Sequence, residues 1–251
     1  MKFNHKLIIQ LFTVVILAGS LKAFYSTANV NEVRWILAPT TYLVELATGE
    51  RFTFEAYSGY MNDERSFVIA GSCSGVNFLI TAFLVLTLGT LLRDGSRNVQ
   101  WRYFVFAASA AFLTTIVANT VRICIALQMR RADPDLLWLN PDQIHRFEGI
   151  VVYFGFLLLL FVVSESLRAG NRSISRVSSS PLRSLLFPLV IYYSTTLGIP
   201  VANAAYRRTP LTTDFREHLF FVFLIPLVLA AILLVVKTVG NRRADSFRRM
   251  A

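Results

Sequence analysis

The chain has 251 residues, 55% of them hydrophobic, with 21 Phe, two Cys and a net charge of +10. The apolar residues lie in long blocks instead of amphipathic faces, so a sizeable soluble domain does not fit in what remains. The basic excess is divided among short tails and loops with no aromatic–basic recognition module, which speaks against nucleic-acid binding, and two cysteines exclude a disulfide-stapled ectodomain.

Apolar runs of roughly 18 residues or more read as membrane spans. Six such runs, at about 7–23, 76–92, 103–121, 149–167, 185–205 and 219–236, predict an all-α membrane protein of about six transmembrane helices. The chain reads as one integral membrane domain over 1–251: an outer segment 24–75, a helical bundle 76–240 and a basic cytoplasmic tail 241–251. More than half of the 25 Lys/Arg fall in segments 1–6, 93–102, 168–183 and 237–251. The positive-inside rule therefore places both termini inside.

Taken in chain order, Lys2, Lys6, an apolar stretch and Ser26-Thr27-Ala28 fit either a cleaved signal peptide or a retained first helix. Segment length favours the retained helix. In the outer segment, Trp35–Pro39 and Tyr42–Leu46 are too short and interrupted to span. They predict an interfacial or re-entrant helix begun by Pro39. Phe52–Ala56 alternates as a strand does, Asn62-Asp63-Glu64 reads as a turn, and Phe67–Ala70 returns, a possible β-hairpin that delivers the chain to Cys73.

The second helix is followed by the basic turn Arg93–Arg97, and the third is expected to end with Asn119-Thr120-Val121-Arg122. The fourth starts at Asn140-Pro141-Asp142-Gln143: an Asn cap, Pro at the first helical position, then an acid and Gln. The Ser-rich stretch 171–180 reads as a cytoplasmic linker, and 206–217 joins the last two helices outside.

Cys73 lies in Gly71-Ser72-Cys73-Ser74-Gly75, at the mouth of the second helix. The glycines allow a tight turn and close backbone approach. Ser74 is placed to cap the helix, and the positive end of the helix dipole favours a thiolate. The plainer alternative is a small residue packed for fit. Arg122 closes the predicted third helix, with Asn119 one turn earlier on the same face; alone, such an arginine would snorkel to the headgroups. His145 opens the fourth helix, with Glu148 and Gly149 on the same face. His5 is inside, whereas His218 is an outer competitor. A thiol, a guanidinium and an imidazole thus fall at the outer ends of three successive helices, which is the logic of an activated nucleophile with a cation added. No His/Cys/carboxylate cluster stands at metal-ligand spacing and no glycine-rich phosphate loop is present, so no cofactor is expected.

Ser72-Cys73-Ser74-Gly75-Val76-Asn77, then Asn119-Thr120-Val121-Arg122, then His145-Arg146-Phe147-Glu148-Gly149 resemble the exosortase/archaeosortase family in order and in position on the helices. The resemblance implies a membrane-embedded cysteine protease or transpeptidase with Cys73, Arg122 and His145 as catalytic residues. Asn119, Ser74 and Glu148 are candidate supporting or substrate-binding residues. It further implies a bacterial inner-membrane location with the active site on the outer, periplasmic face. The implied partners, besides the lipid bilayer, are exported proteins whose C-terminal sorting signal holds a short motif, a transmembrane helix and a basic tail. Two other readings stand beside it. One is a multi-helix transporter or binding protein without catalysis, although the helix interiors hold almost no charge. The other is a lipid-dependent acyltransferase using Cys73.

Overall fold

The computed structural model describes residues 5–94, 99–131, 141–170, 181–201 and 219–234, and within them not the side chains of 93–94, 131, 141–145, 168–170 and 181–184. The expected linker 171–180, the outer connection 206–217 and the basic tail 241–251 lie outside the described residues. The chain forms two compact units, residues 1–156 and 157–251.

Helix α1 runs over His5–Thr27 and carries no charge between Lys6 and Lys22. It touches the first unit along one narrow stripe, Gln10, Val14 and Ala18, and leaves most of its apolar surface exposed. Val14 is fully buried with Leu91, Val99 and Phe104, and the equally buried Gln10 donates from Nε2 to the Val99 carbonyl at 3.1 Å. A buried amide bonded to a loop carbonyl 89 residues away fixes the height of α1 against its neighbours. Through this stripe α1 joins the core cluster of Val14, Leu91, Val99 and Phe104.

Helix α2, Arg34–Thr48, begins five residues before the expected start, and Pro39 lies inside it. A reciprocal box at Asn29 and Glu32 closes the turn that precedes the helix, and the N-cap, Val33, carries no side-chain capping bond. Asn29 Oδ1 accepts from the Asn31 and Glu32 backbone amides, while Glu32 Oε2 accepts from the Asn29 amide at 2.7 Å. These bonds satisfy donors that the chain entering a helix would otherwise leave open. Gly49, in the left-handed region at φ 74°, stops the helix, with its amide on the Glu45 carbonyl. Trp35 stacks on Phe112 with ring centroids 5.8 Å apart, so the N-terminal end of α2 is seated on helix α4 (Trp101–Arg131).

The outer hairpin expected over 52–70 is a three-stranded antiparallel meander: β1 Phe52–Glu55, β2 Gly59–Asn62 and β3 Val68–Ile69. The missed strand is β2, which pairs Phe52 with Asn62 on one side and Tyr60 with Ile69 on the other. Gly59 makes this possible. It takes φ 116°, and a Cβ there would overlap the Ile69 carbonyl oxygen. Asn62-Asp63-Glu64 turns as expected, because Asn62 Oδ1 accepts the amides of Ser66 and Phe67. Glu45 ties the end of α2 to the first strand by accepting the Phe52 amide at 2.8 Å.

Four helical segments are long and apolar enough to cross a bilayer: His5–Thr27, Gly71–Leu92, Trp101–Arg130 and Arg146–Leu167. They include α1, helix α3 (Val76–Asp94), α4 and helix α5 (Pro141–Gly170). Helix α5 starts where the Asn-Pro signal predicts. Threonines inside α3 and α4 return their hydroxyls to the carbonyl one turn back, as at Thr87, Thr90, Thr115 and Thr120. That closes polar groups that hydrocarbon would not. In the second unit, helix α6 (Pro181–Tyr193) widens into a π-helical turn over Ser194–Gly198, and helix α7 spans 219–234. Tyr193 stacks on Phe223 and donates its hydroxyl to the Phe223 carbonyl at 2.5 Å. The apolar segments Leu185–Val201 and Leu219–Leu234 are shorter than the four spans. The meander tests simply: Gly59→Ala should lower stability by about 2 kcal/mol or more through strain at a positive φ and overlap with Ile69. Gly19→Ala, with nothing near its Cβ position, should be neutral. Thermal unfolding of both variants in detergent checks this.

Candidate active site at Cys73

Strand β3 leads into a single 3₁₀ turn, Gly71–Ser74, in which the Cys73 amide donates to the Ala70 carbonyl at 2.8 Å. Gly75 follows in the left-handed region at φ 73° and turns the chain into α3. Its carbonyl accepts the Leu79 amide, so Gly75 occupies the N-cap position. Ser74 is therefore not the cap expected from the sequence. The 3₁₀ turn buries it fully, and its hydroxyl makes no hydrogen bond among the described residues. Cys73 remains partly exposed, and both it and Cys124 are free thiols.

Helix α4 runs to Arg131, so Arg122 lies nine residues inside it and does not end it. The sequence could not show this, because residues 123–131 mix apolar and polar types without a stop signal. Asn119 is wholly buried one turn before Arg122. Its Nδ2 donates to the Cys73 carbonyl, and its Oδ1 accepts the Tyr153 hydroxyl at 2.8 Å. Arg122 Nη1 donates to the same hydroxyl oxygen at 3.2 Å, with the guanidinium 5.4 Å from the centre of the Tyr153 ring. The guanidinium is also within electrostatic reach of the Cys73 thiol and of Glu148.

Glycines let these groups approach. A Cβ on Gly75 would stand 3.1 Å from Thr115 Cγ2 and 3.5 Å from both Asn119 Cγ and the Tyr153 hydroxyl. A Cβ on Gly149 would stand 3.1 Å from Arg122 Nε. Helices α3 and α5 thus meet the polar face of α4 across two positions that hold no side chain. Glu148, beside Gly149, is only 5% exposed. From the other side, Tyr25 of α1 donates to the Gly71 carbonyl at 3.4 Å, and Lys22 Nζ donates to Asn77 Oδ1 at 2.6 Å.

Of the residues singled out in the sequence, Cys73, Asn119, Arg122 and Glu148 are brought together, with Ser74 buried alongside. His145 is the fifth residue of α5, one turn before Gly149, but its side chain is outside the described residues, as is His218. Sequence reasoning missed Tyr153. The available signal was its spacing, four residues after Gly149 and so on the same helical face. Among the described residues no group of three or more His, Cys, Asp or Glu is placed to hold a metal ion.

Two substitutions test this geometry through stability. Gly75→Ala adds left-handed strain to a contact already at the packing limit and should cost about 1–3 kcal/mol. Asn119→Ala leaves the Tyr153 hydroxyl and the Cys73 carbonyl without their shared partner and should cost about 2–4 kcal/mol. Both are read as shifts in thermal unfolding of purified protein. Cys124→Ala, outside this network, should lie within about 1 kcal/mol of wild type.

No curated protein and no solved structure matches the chain. A protein-family model does, that of the transmembrane exosortase (Exosortase_EpsH), over residues 7–162. The match begins within α1 and ends within α5, so it takes in Cys73, Asn119, Arg122, Glu148 and Tyr153. A match over more than half of the chain, joined to apolar spanning helices, shows that this membrane protein belongs to the transmembrane exosortase family.

Proposed function

We propose that the protein is a membrane-embedded cysteine transpeptidase or protease that cleaves a C-terminal sorting signal from exported proteins at the outer, periplasmic face of the bacterial inner membrane. The observation that carries this reading is the hydrogen-bonded chain that ties the Arg122 guanidinium through Tyr153 and Asn119 to the backbone of a partly exposed thiol at a helix entrance. Such an arginine stabilises a thiolate, or the oxyanion that forms when the thiolate attacks.

In this reading His145 removes the Cys73 proton, and the sulfur attacks the substrate's peptide carbonyl. The C–N bond breaks, the leaving amine takes the proton from His145, and a thioester on Cys73 remains. An acceptor amine then takes the acyl group in transpeptidation, or water takes it in hydrolysis. Arg122 is assigned to negative charge on sulfur and oxygen. Asn119, whose amide already holds the Cys73 carbonyl, is assigned to positioning the nucleophile. The substrate's own transmembrane helix would set the cleavage point at the depth of Cys73, and its basic tail would orient it.

The test is the size of a co-expressed protein whose C-terminus carries a motif, an apolar helix and a basic tail. Wild type should shorten it. Cys73→Ala, Arg122→Ala and His145→Ala should each reduce processing by about 10³-fold or more while still inserting, because groups acting as a unit fail together. His218→Ala should keep most activity. Processing that survives in Cys73→Ala would refute the nucleophile assignment. Loss in His218→Ala with retention in His145→Ala would move the base to His218. An uncut substrate with wild type would favour a transporter or binding protein.

A further inference from the structure

We propose that Tyr153 is a positioning residue for the reactive thiol: its hydroxyl couples the Arg122 guanidinium to the Asn119 amide, and so holds the cation and the Cys73 turn in one register. This rests on the reading of Cys73 as the nucleophile.

The direction of every hydrogen bond in the chain Arg122–Tyr153–Asn119–Cys73 is set by its ends. A guanidinium can only donate, and a backbone carbonyl can only accept. The Cys73 carbonyl therefore takes Nδ2 of Asn119, which leaves Oδ1 facing Tyr153. The Tyr153 hydroxyl must then give its single proton to Oδ1 and offer a lone pair to Arg122 Nη1. No member can flip without breaking a bond. Chains of this kind polarise along their length, and a positive charge at one end strengthens the bond at the other.

The surroundings allow little choice of position for the phenol. Its ring stacks on Phe78 of α3, with centroids 5.0 Å apart and planes 15° off parallel. Its oxygen faces the open position above Gly75. Gly149, one turn earlier on α5, leaves space for the stem of Arg122, and Tyr153 receives the head. The spacing Gly149–Tyr153 is thus a seat for one arginine. A phenylalanine at 153 would keep the ring and its stack but remove both hydrogen bonds. A merely structural aromatic would not register that loss at the thiol.

The experiment compares alkylation of Cys73 by a neutral maleimide at fixed pH, with Cys124 in the same molecule as internal standard, in wild type and Tyr153→Phe. The expected result is a Cys73/Cys124 rate ratio lower by about tenfold, the scale of one lost hydrogen bond to a charged group. Substrate processing should fall by a similar factor in kcat with KM little changed. Tyr153→Phe combined with Arg122→Lys should be no slower than Arg122→Lys alone, whereas multiplied effects would indicate independent packing roles and overturn the proposal. Should Tyr153→Phe fail to fold, Gly149→Ala gives the second route: it displaces Arg122 from the intact tyrosine and should lower the same ratio. An unchanged ratio in whichever of the two folds overturns the proposal. The alkylation ratio needs no substrate, so a wild type that leaves the co-expressed protein uncut refutes the enzymatic reading while the ratio still decides the role of Tyr153.

Discussion

The carboxamide of Asn119, buried in the third long apolar helix, holds the carbonyl of the residue that bears the thiol. A buried amide must place both its ends, or leave a polar group unsatisfied at about 1–3 kcal/mol. Here one end takes the Cys73 carbonyl and the other takes Tyr153. The position of the 3₁₀ turn is therefore dictated by a side chain 46 residues away, and not by the turn's own short ladder. Gly75 packed against Thr115 and Tyr25 on the Gly71 carbonyl support the same turn, and the Asn119 amide adds a hydrogen bond from α4 to the residue that bears the thiol.

Two close approaches make this contact possible. Gly75 allows the mouth of α3 to come against Thr115, Asn119 and Tyr153, and Gly149 allows α5 to come against the stem of Arg122. Small residues at helix contacts serve a membrane bundle well, because lipid supplies no hydrophobic drive between helices and packing with hydrogen bonds must do so. In this chain the same glycines admit the polar side chains of the site. Packing of the bundle and assembly of the site are one event in the first unit.

Helix α2 and the meander lead the chain into that contact. The Asn29–Glu32 box closes the turn before α2, Gly49 ends the helix, and Glu45 fastens the first strand to its end. The meander then returns the chain to Ala70 and the turn. Helix α1 adds Tyr25 at the Gly71 carbonyl and Lys22 at Asn77, so the first helix lines the entrance to α3 as well as filling the core below it.

Much of this was legible in the chain itself. Apolar runs mark the spanning helices because hydrocarbon tolerates no unsatisfied backbone, and Asn140-Pro141 marks the start of α5 because only the first turn accepts a proline without loss. Asn119, Arg122 and Glu148 stood out because polar groups are rare in such helices, and Cys73 because it lies between glycines at a helix mouth. What the sequence could not decide depends on distance across the fold. Strand β2 was hidden because its pairing relies on a positive φ at Gly59, which a Ser-Gly pair in a loop does not announce. The start of α2 was hidden because Pro39 offers a start signal, whereas the residue that begins the helix, Val33, offers no side-chain cap. The end of α4 was misplaced because an arginine within a helix reads like an arginine at its edge. Ser74 looked like a cap until the 3₁₀ turn gave that position to Gly75. Tyr153 was one tyrosine among nine, and only the packing of α5 on α4 distinguishes it, because a hydroxyl acquires a role from the donor and the acceptor that tertiary structure places on either side of it.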